Sequence, residues 1–216
     1  GLDLTPNQDV SVAQARAGLR PEAMQTAGRI RDPRLIVVAL RDIAEAQAAS
    51  GLSEEALAAA GIIPNPKKNA EALATIADIQ VKRGDKNDAL ATAERLLNAL
   101  PAIDDSLTRI SLQARVAVIL AKSGNAPQAS DILAKAESFS RANISGDNLG
   151  IALRHIAKGL AETQQLAQAM TILSDVTDDS NRTPVLIAAA TQQALAGDMA
   201  AALATADTIE GVRYRA

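Results

Sequence analysis

Apolar residues recur along this chain at three-to-four spacing in short runs, and each pair of runs is divided by a residue with turn chemistry. The segment around Gly84 shows the pattern best. Leu73, Ile76, Ala77 and Gln80 lie along one face of a first predicted helix, and Gly84 supplies a left-handed C-terminal residue. Asp85 to Asp88 then offer N-terminal oxygens, and Ala89, Leu90, Ala93 and Leu96 form the stripe of a second helix that Pro101 brings to an end. Leu186, Ala189, Ala190 and Gln193, then Gly197-Asp198, then Ala202, Leu203, Ala206 and Ile209 repeat the design. The predicted unit is a helical hairpin.

The hairpins share one register. With Gly18, Gly51, Gly84, Gly124 and Gly197 as anchors, and Gln164 as a degenerate sixth, the intervals are 33, 33, 40, 40 and 33 residues. Five residues after each anchor stands an alanine: Ala23, Ala56, Ala89, Ala129, Ala169 and Ala202. Seven residues before each anchor the side chain is again small: Ser11, Ala44, Ala77, Ala117, Ala157 and Ala190. From the second unit on, Ile43, Ile76, Val116, Ile156 and Ala189 precede those positions. Alanine facing alanine lets two helix axes approach at the short end of the ~8–10 Å range, which fixes the crossing within a hairpin. A single hairpin buries too little, so its outer apolar face must be covered by the next one. The expected fold is therefore all-α: one domain over residues 1–216, a right-handed alpha-solenoid of about five to six stacked helix-turn-helix units.

The two intervals of 40 carry seven extra residues, about two helical turns. Elongated helices around Leu97–Leu107 and Phe139–Leu149 would keep the apolar phase, and extended loops are the alternative; Ser138 to Asn148 reads more as a loop. At the ends, only a shortened first helix fits ahead of Gly18. The stretch Gly211 to Ala216 reads as the entry to a further unit, which points to a piece of a longer array or an end covered by another chain.

With Ala77, Ala89 and Leu96 at its small positions, Gly84 at the turn and Pro101 after the second helix, the chain resembles the tetratricopeptide repeat family over nearly its whole length. It departs where that family carries large residues: its first-helix Trp and Tyr positions hold Leu73 and Gln80, and its second-helix aromatic position holds Ala93. The resemblance implies stacked hairpins that present their first helices to a bound protein or peptide. The family's carboxylate clamp needs Asn where Asp78, Val118 and Lys158 stand, so capture of a chaperone C-terminus is not implied.

Composition agrees with helix and narrows the chemistry. Alanine fills 47 of 216 positions, and Phe139 and Tyr214 are the only aromatic residues. The absence of Cys removes disulfides, thiolate-bound metals and thiol nucleophiles, and a single His leaves little imidazole chemistry. A formal charge of −3 with no aromatic platform argues against nucleic acid, and no apolar run is long enough to span a membrane. The start Gly1-Leu2-Asp3 has no export-signal pattern, so the reading leaves cytosol or bacterial periplasm open.

His155 is the one candidate for imidazole chemistry, and a surface or inter-repeat position is the plainer account of it. The acid pairs Glu54-Glu55, Asp104-Asp105 and Asp178-Asp179 could serve as acid and base, but they fall near predicted helix starts, where carboxylates cap free N–H groups. Asp175 to Asn181 has acids enough for calcium without the spacing of a calcium hand. Asn143-Ile144-Ser145 and Asn181-Arg182-Thr183 match glycosylation acceptors. No catalytic residue, metal or cofactor is assigned, and the chain is read as non-enzymatic.

The remaining signal is the inner face of the first helices, ten, six and two residues before each anchor. There stand Arg41, Glu45 and Ala49; Ala74, Asp78 and Lys82; Ala114, Val118 and Lys122; Arg154, Lys158 and Glu162; and Ile187, Thr191 and Leu195. Arg41, Glu45, Asp78, Lys82, Lys122, Arg154, Lys158 and Glu162 form the candidate binding face, mildly basic in its middle and suited to an acidic peptide, with Ile187 and Leu195 as an apolar patch further along. The plain alternative is a solvated face with intrahelical ion pairs such as Arg41/Glu45 and Asp78/Lys82. Two functional expectations follow: a peptide- or protein-binding interaction module, or a structural scaffold, a homo-oligomer assembled through its ends.

Overall fold

The left-handed turn is the element that builds the molecule. In a computed structural model that describes residues 5–30 and 32–213, positive φ occurs at Gly18 (76°), Gly51 (81°), Gly84 (85°), Gly124 (104°) and Gly197 (85°). Gln164 also adopts it (66°), alone among the described non-glycine residues. All six turns close in the same way. The N–H of the residue after the anchor donates to the carbonyl four residues before it, as in Asp85 N to Gln80 O (2.9 Å) and Gln165 N to Leu160 O (2.8 Å). The first i→i−4 backbone hydrogen bond of the second helix is donated in every case by the recurrent alanine, as in Ala89 N to Asp85 O (3.0 Å).

Twelve α-helices follow one another among the described residues, with no strand between them: α1 (Thr5–Arg16), α2 (Arg20–Ala27), α3 (Pro33–Ala49), α4 (Ser53–Gly61), α5 (Pro66–Arg83), α6 (Lys86–Ala99), α7 (Ser106–Lys122), α8 (Ala126–Asn143), α9 (Asp147–Glu162), α10 (Leu166–Ser174), α11 (Asp179–Leu195) and α12 (Met199–Arg213). A 3-10 turn, Leu100–Ala102, carries Pro101 beyond α6. Each odd-numbered helix packs against the even-numbered helix after it, and neighbouring odd-numbered helices lie side by side: α1 with α3, α3 with α5, α7 with α9, α9 with α11. The chain falls into two compact units, Gly1–Asp104 and Asp105–Ala216, each with its own core.

The core of each unit is built at the recurrent small positions. Ala23, Ala56, Ala89, Ala129 and Ala169 are fully buried and Ala202 nearly so, as are Ser11, Ala44, Ala77, Ala117 and Ala157; Ala190 is half-buried. Ile43, Ile76, Val116 and Ile156 beside them are inaccessible to solvent. Polar side chains tie one hairpin to the next at matching positions. Asn69 Nδ2 donates to Ala60 O (2.8 Å) in the first unit, and Arg182 Nη1 donates to Leu173 O (2.8 Å) in the second, each satisfying a carbonyl at the end of a second helix. Arg83 Nη1 reaches Ala49 O (2.7 Å) and Ser50 Oγ reaches Arg16 O (3.4 Å), one first-helix end fastening the one before it.

The seven-residue excess resolves into helix. Helix α6 has 14 residues and α8 has 18, against 9 in α4 and 9 in α10. The loop expected over Ser138 to Asn148 is thus corrected: helix runs through Asn143, and only Ile144 to Gly146 separate α8 from α9. The polar residues that suggested a loop bond back to the helix. Buried Ser140 Oγ donates to Ala136 O (2.7 Å), and Asn143 Nδ2 donates to Phe139 O (2.8 Å). Near the chain end, Gly211 to Arg213 continue α12 instead of opening a new unit, and Tyr214 to Ala216 lie outside the described residues.

Three substitutions test this account of the turns and the core. Gln164 holds a backbone conformation that an L side chain strains, so Gln164→Gly should stabilise the protein by about 1 kcal/mol, raising Tm by roughly 2–4 °C. Gly84→Ala should cost about as much through the backbone alone, because nothing lies within 4 Å of where its Cβ would stand. Gln47 is fully buried with neither amide atom bonded to a protein group, whereas Leu120 and Leu160 hold the same place before their own anchors. Gln47→Leu should therefore raise the unfolding free energy by about 1 kcal/mol, read as a higher urea midpoint at unchanged m; a fall would show the amide to be held by water.

Candidate functional site

The residues proposed from sequence as a binding face are placed on the odd-numbered helices, mostly in ion pairs and hydrogen bonds. In the first unit, Arg41 donates to Asp42 Oδ1 through Nη2 (2.8 Å) and lies 3.5 Å from Glu45 Oε1. The hydrogen bond to Asp42 holds the Arg41 guanidinium more firmly in its charged form. Asp78 is half-buried on α5, and Lys82 is exposed in its last turn. In the second unit, Lys122 is exposed at the end of α7, Lys158 donates to Glu162 Oε1 (2.6 Å) on α9, and Arg154 turns to its neighbour His155. Structure therefore joins Arg41 with Glu45 and Lys158 with Glu162, as expected for i, i+4 pairs.

Part of the expected face is not a surface. Ala74 is fully buried, and Ala114 and Val118 on α7 are nearly so. The reason at Ala114 is Gly159 on α9. A Cβ there would stand 3.4 Å from Ala114 Cβ and 2.9 Å from Leu133 Cδ2, so the missing side chain lets α9 settle onto α7.

What does open is a groove of about 560 Å³ across α1, α3 and α5 of the first unit. Its lining follows the anchor register. Asp9 and Asp42, Val12 and Glu45, Ala13 and Ala46, and Arg16 and Ala49 are pairs one 33-residue interval apart, and Ile79 continues the Ala13/Ala46 position into α5. The ionisable side chains that line it are Asp9, Asp42, Glu45 and Arg16, and with Arg41 beside them paired to Asp42 and Glu45 this stretch keeps a small acidic excess, ahead of the middle helices for which the sequence predicts a mildly basic face. A second groove of about 420 Å³ lies toward the N-terminal halves of α3 and α5. Val37 and Val38 form its floor, and Arg34, Arg41 and Lys68 stand around it. Sequence reasoning included Glu45 and Ala49 of the first groove and missed Val12 and Arg16, which stand one 33-residue interval before them, together with the pair Asp9 and Asp42.

His155 lies on α9, half-buried, with Arg154 Nη2 3.0 Å from its Nε2. A guanidinium can only donate, so Nε2 accepts and the ring proton sits on Nδ1. Burial lowers the His155 pKa to about 4, and the positive charges of Arg154 and Lys158 add to that effect. At pH 7 the imidazole is therefore neutral, with its Nε2 occupied by the Arg154 hydrogen bond.

The acid pairs act as helix starts. Asp105 Oδ2 accepts from Thr108 N (3.0 Å) at the head of α7, and Asp178 Oδ1 accepts from Ser180 N (2.7 Å) at the head of α11. Hydrogen bonds from the Ser180 side chain and then its backbone N–H hold the Asp178 carboxyl below its usual range. Asp179, Glu54 and Glu55 occupy first turns. Asp175 turns to Arg141 (2.8 Å), so the carboxylates between Asp175 and Asn181 do not converge on one point. Asn181 is buried, so it cannot serve as a glycan acceptor in the folded chain.

No protein-family model and no curated protein sequence matches the chain. Among solved structures, its fold is similar to Ton1535 from Thermococcus onnurineus NA1 at 17% identity and a TM-score of 0.56, over 92% of this chain and 65% of that one. The chain thus spans about two thirds of that structure. BtubC (BKLC) from P. vanneervenii aligns with all of this chain and 92% of its own at 16% identity and a TM-score of 0.48. The first likeness agrees with an all-α fold. No described helix is long and apolar enough to cross a membrane.

The His155 geometry gives a pH prediction. Its folded pKa lies below the unfolded value of about 6.5, so the unfolded chain binds the extra proton between pH 6.5 and about 4. The stability present above pH 6.5 should fall as pH drops through this window. Thermal melts from pH 7 to 4.5 should show a larger fall in Tm for the parent protein than for His155→Gln.

Proposed function

We propose that this chain is a non-catalytic, tetratricopeptide-like interaction module, its hairpins stacked in a right-handed alpha-solenoid of about five to six units that holds a protein or peptide segment on the first-helix face. The observation that carries the reading is the groove across α1, α3 and α5, whose lining repeats with the hairpin interval. Its room comes from small residues, Ala13, Ala46 and Ala49, at successive turns of adjacent helices. A chain without Trp and with Phe139 and Tyr214 as its only aromatic residues lacks the usual anchors of an interface, so the partner supplies the large side chains and this protein supplies the spaces between helices. The acidic lining at Asp9, Asp42 and Glu45 favours a segment that carries basic residues beside its apolar anchors.

Ala13 and Ala49 are both exposed and line the groove, so arginine at either fills it without entering the core. Peptides selected by display on the 216-residue chain should carry large apolar side chains. They should lose about tenfold or more in affinity, by fluorescence anisotropy, to Ala13→Arg and to Ala49→Arg, while Lys135→Ala on α8 leaves binding unchanged. Selected peptides that bind all three variants as well as the parent would remove the groove from the account.

A further inference from the structure

The two units bury different material. Among the described residues, the first buries sixteen alanines and nine Leu, Ile or Val side chains, and the second, of similar length, buries eleven and fifteen. Apolar area removed from water follows side-chain size, so the first core supplies less of the cohesion that holds stacked hairpins together.

The buried polar groups add to the difference. Four residues before the anchor, the first unit carries Gln14, Gln47 and Gln80, where the second carries Leu120, Leu160 and Gln193. Gln193 Oε1 accepts from Thr205 Oγ1 (2.8 Å), eight residues after its anchor. The same pair of places is not satisfied in the first unit. Gln80 Oε1 and Thr92 Oγ1 are both buried without a hydrogen bond to a protein group, and the place eight after Gly51, which would serve the two unbonded amide atoms of Gln47, holds Ala59. Gln14 Oε1 is buried and unbonded as well. Among the described residues of the second unit, the Ser123 hydroxyl alone is in that state. A buried polar atom without a partner has lost its water and gained nothing in return, so each one weakens the unit that holds it.

We propose that the first unit opens as one cooperative body under conditions in which the second stays folded. Its hairpins lose order together because polar links join them. Asn69 and Arg83 bond to carbonyls of α4 and α3, Gln80 Nε2 donates to Ser53 Oγ (3.1 Å), and Ser50 fastens α3 to α1. The groove across α1, α3 and α5 belongs to this unit, so it is a surface present only while the unit is closed, and whatever binds there holds the unit closed by mass action. The opening does not depend on what the groove holds, and its test needs no peptide. The urea midpoint that Gln47→Leu raises is the one at which this unit opens.

Pulsed hydrogen–deuterium exchange of the 216-residue chain across a urea series at pH 7, read by mass spectrometry of its fragments, measures the units separately. Amides of α3 to α6 should lose protection at a midpoint about 1 M below that of amides in α7 to α10, a comparison that leaves fraying at the termini aside. Thr92→Val removes an unbonded hydroxyl at nearly constant shape and should raise the first midpoint by about 0.3 M while the second stays in place. Leu120→Gln sets a buried amide at the matching place in the second unit and should lower the second midpoint toward the first. Protection lost at one shared midpoint, an order in which α7 to α10 open first, a Thr92→Val chain in which both midpoints rise together, or a Leu120→Gln chain in which only the first midpoint falls would each overturn the proposal.

Discussion

The rest of the structure depends on one hydrogen-bonded turn. The N–H after each anchor is bound to the carbonyl four residues before it, and the following helix starts when the alanine five residues later bonds back into the turn. That geometry needs a left-handed residue at the anchor, which glycine adopts without strain and Gln164 adopts at a cost. Because the turn has one length, the small residue seven before the anchor and the alanine five after it are both fully buried in the first five hairpins, and only Ala190 of the last is half-buried. Their burial then sets which neighbouring positions face the previous hairpin and which face solvent.

An alanine-rich core changes how cohesion is distributed. Each hairpin buries modest apolar area per residue, with Leu, Ile and Val filling the gaps that alanine leaves, so stability is a sum of many similar contacts. The polar staples matter more in such a structure. Asn69, Arg83 and Arg182 satisfy helix-end carbonyls of the preceding hairpin and so fix the angle between hairpins as well as their separation. Gln47 is the exception, a fully buried amide whose atoms find no protein partner at a place where Leu120 and Leu160 show that an aliphatic side chain fits.

The same economy of side-chain volume shapes the surface. Where small residues fall on the inner stripe of α1 and α3, the helices leave a groove; where Gly159 falls on α9, the helices close instead and bury Ala114. A single methyl group, present or absent, decides whether the stripe is open or packed. The charges that line the open part are set by the same periodic positions, and His155, at the place of Asp9 and Asp42, is kept neutral by burial and by two cationic neighbours.

The sequence by itself determined the local geometry: six turns including the degenerate one at Gln164, the helices on either side, the buried small positions, and caps such as Asp105 and Asp178. These are set by contacts a few residues apart, and a 3.6-residue period or a glycine's freedom writes them directly into residue type. Only the tertiary structure decided that Ser138 to Asn143 are helical, that Ala74, Ala114 and Val118 are covered, that the groove is acidic, and that the helices divide at Asp104 into two compact units. Each of these turns on packing between residues on different helices, or on a local hydrogen bond such as Ser140 to Ala136 that rivals a loop. Spacing along one chain carries no direct mark of which helix comes to lie against which.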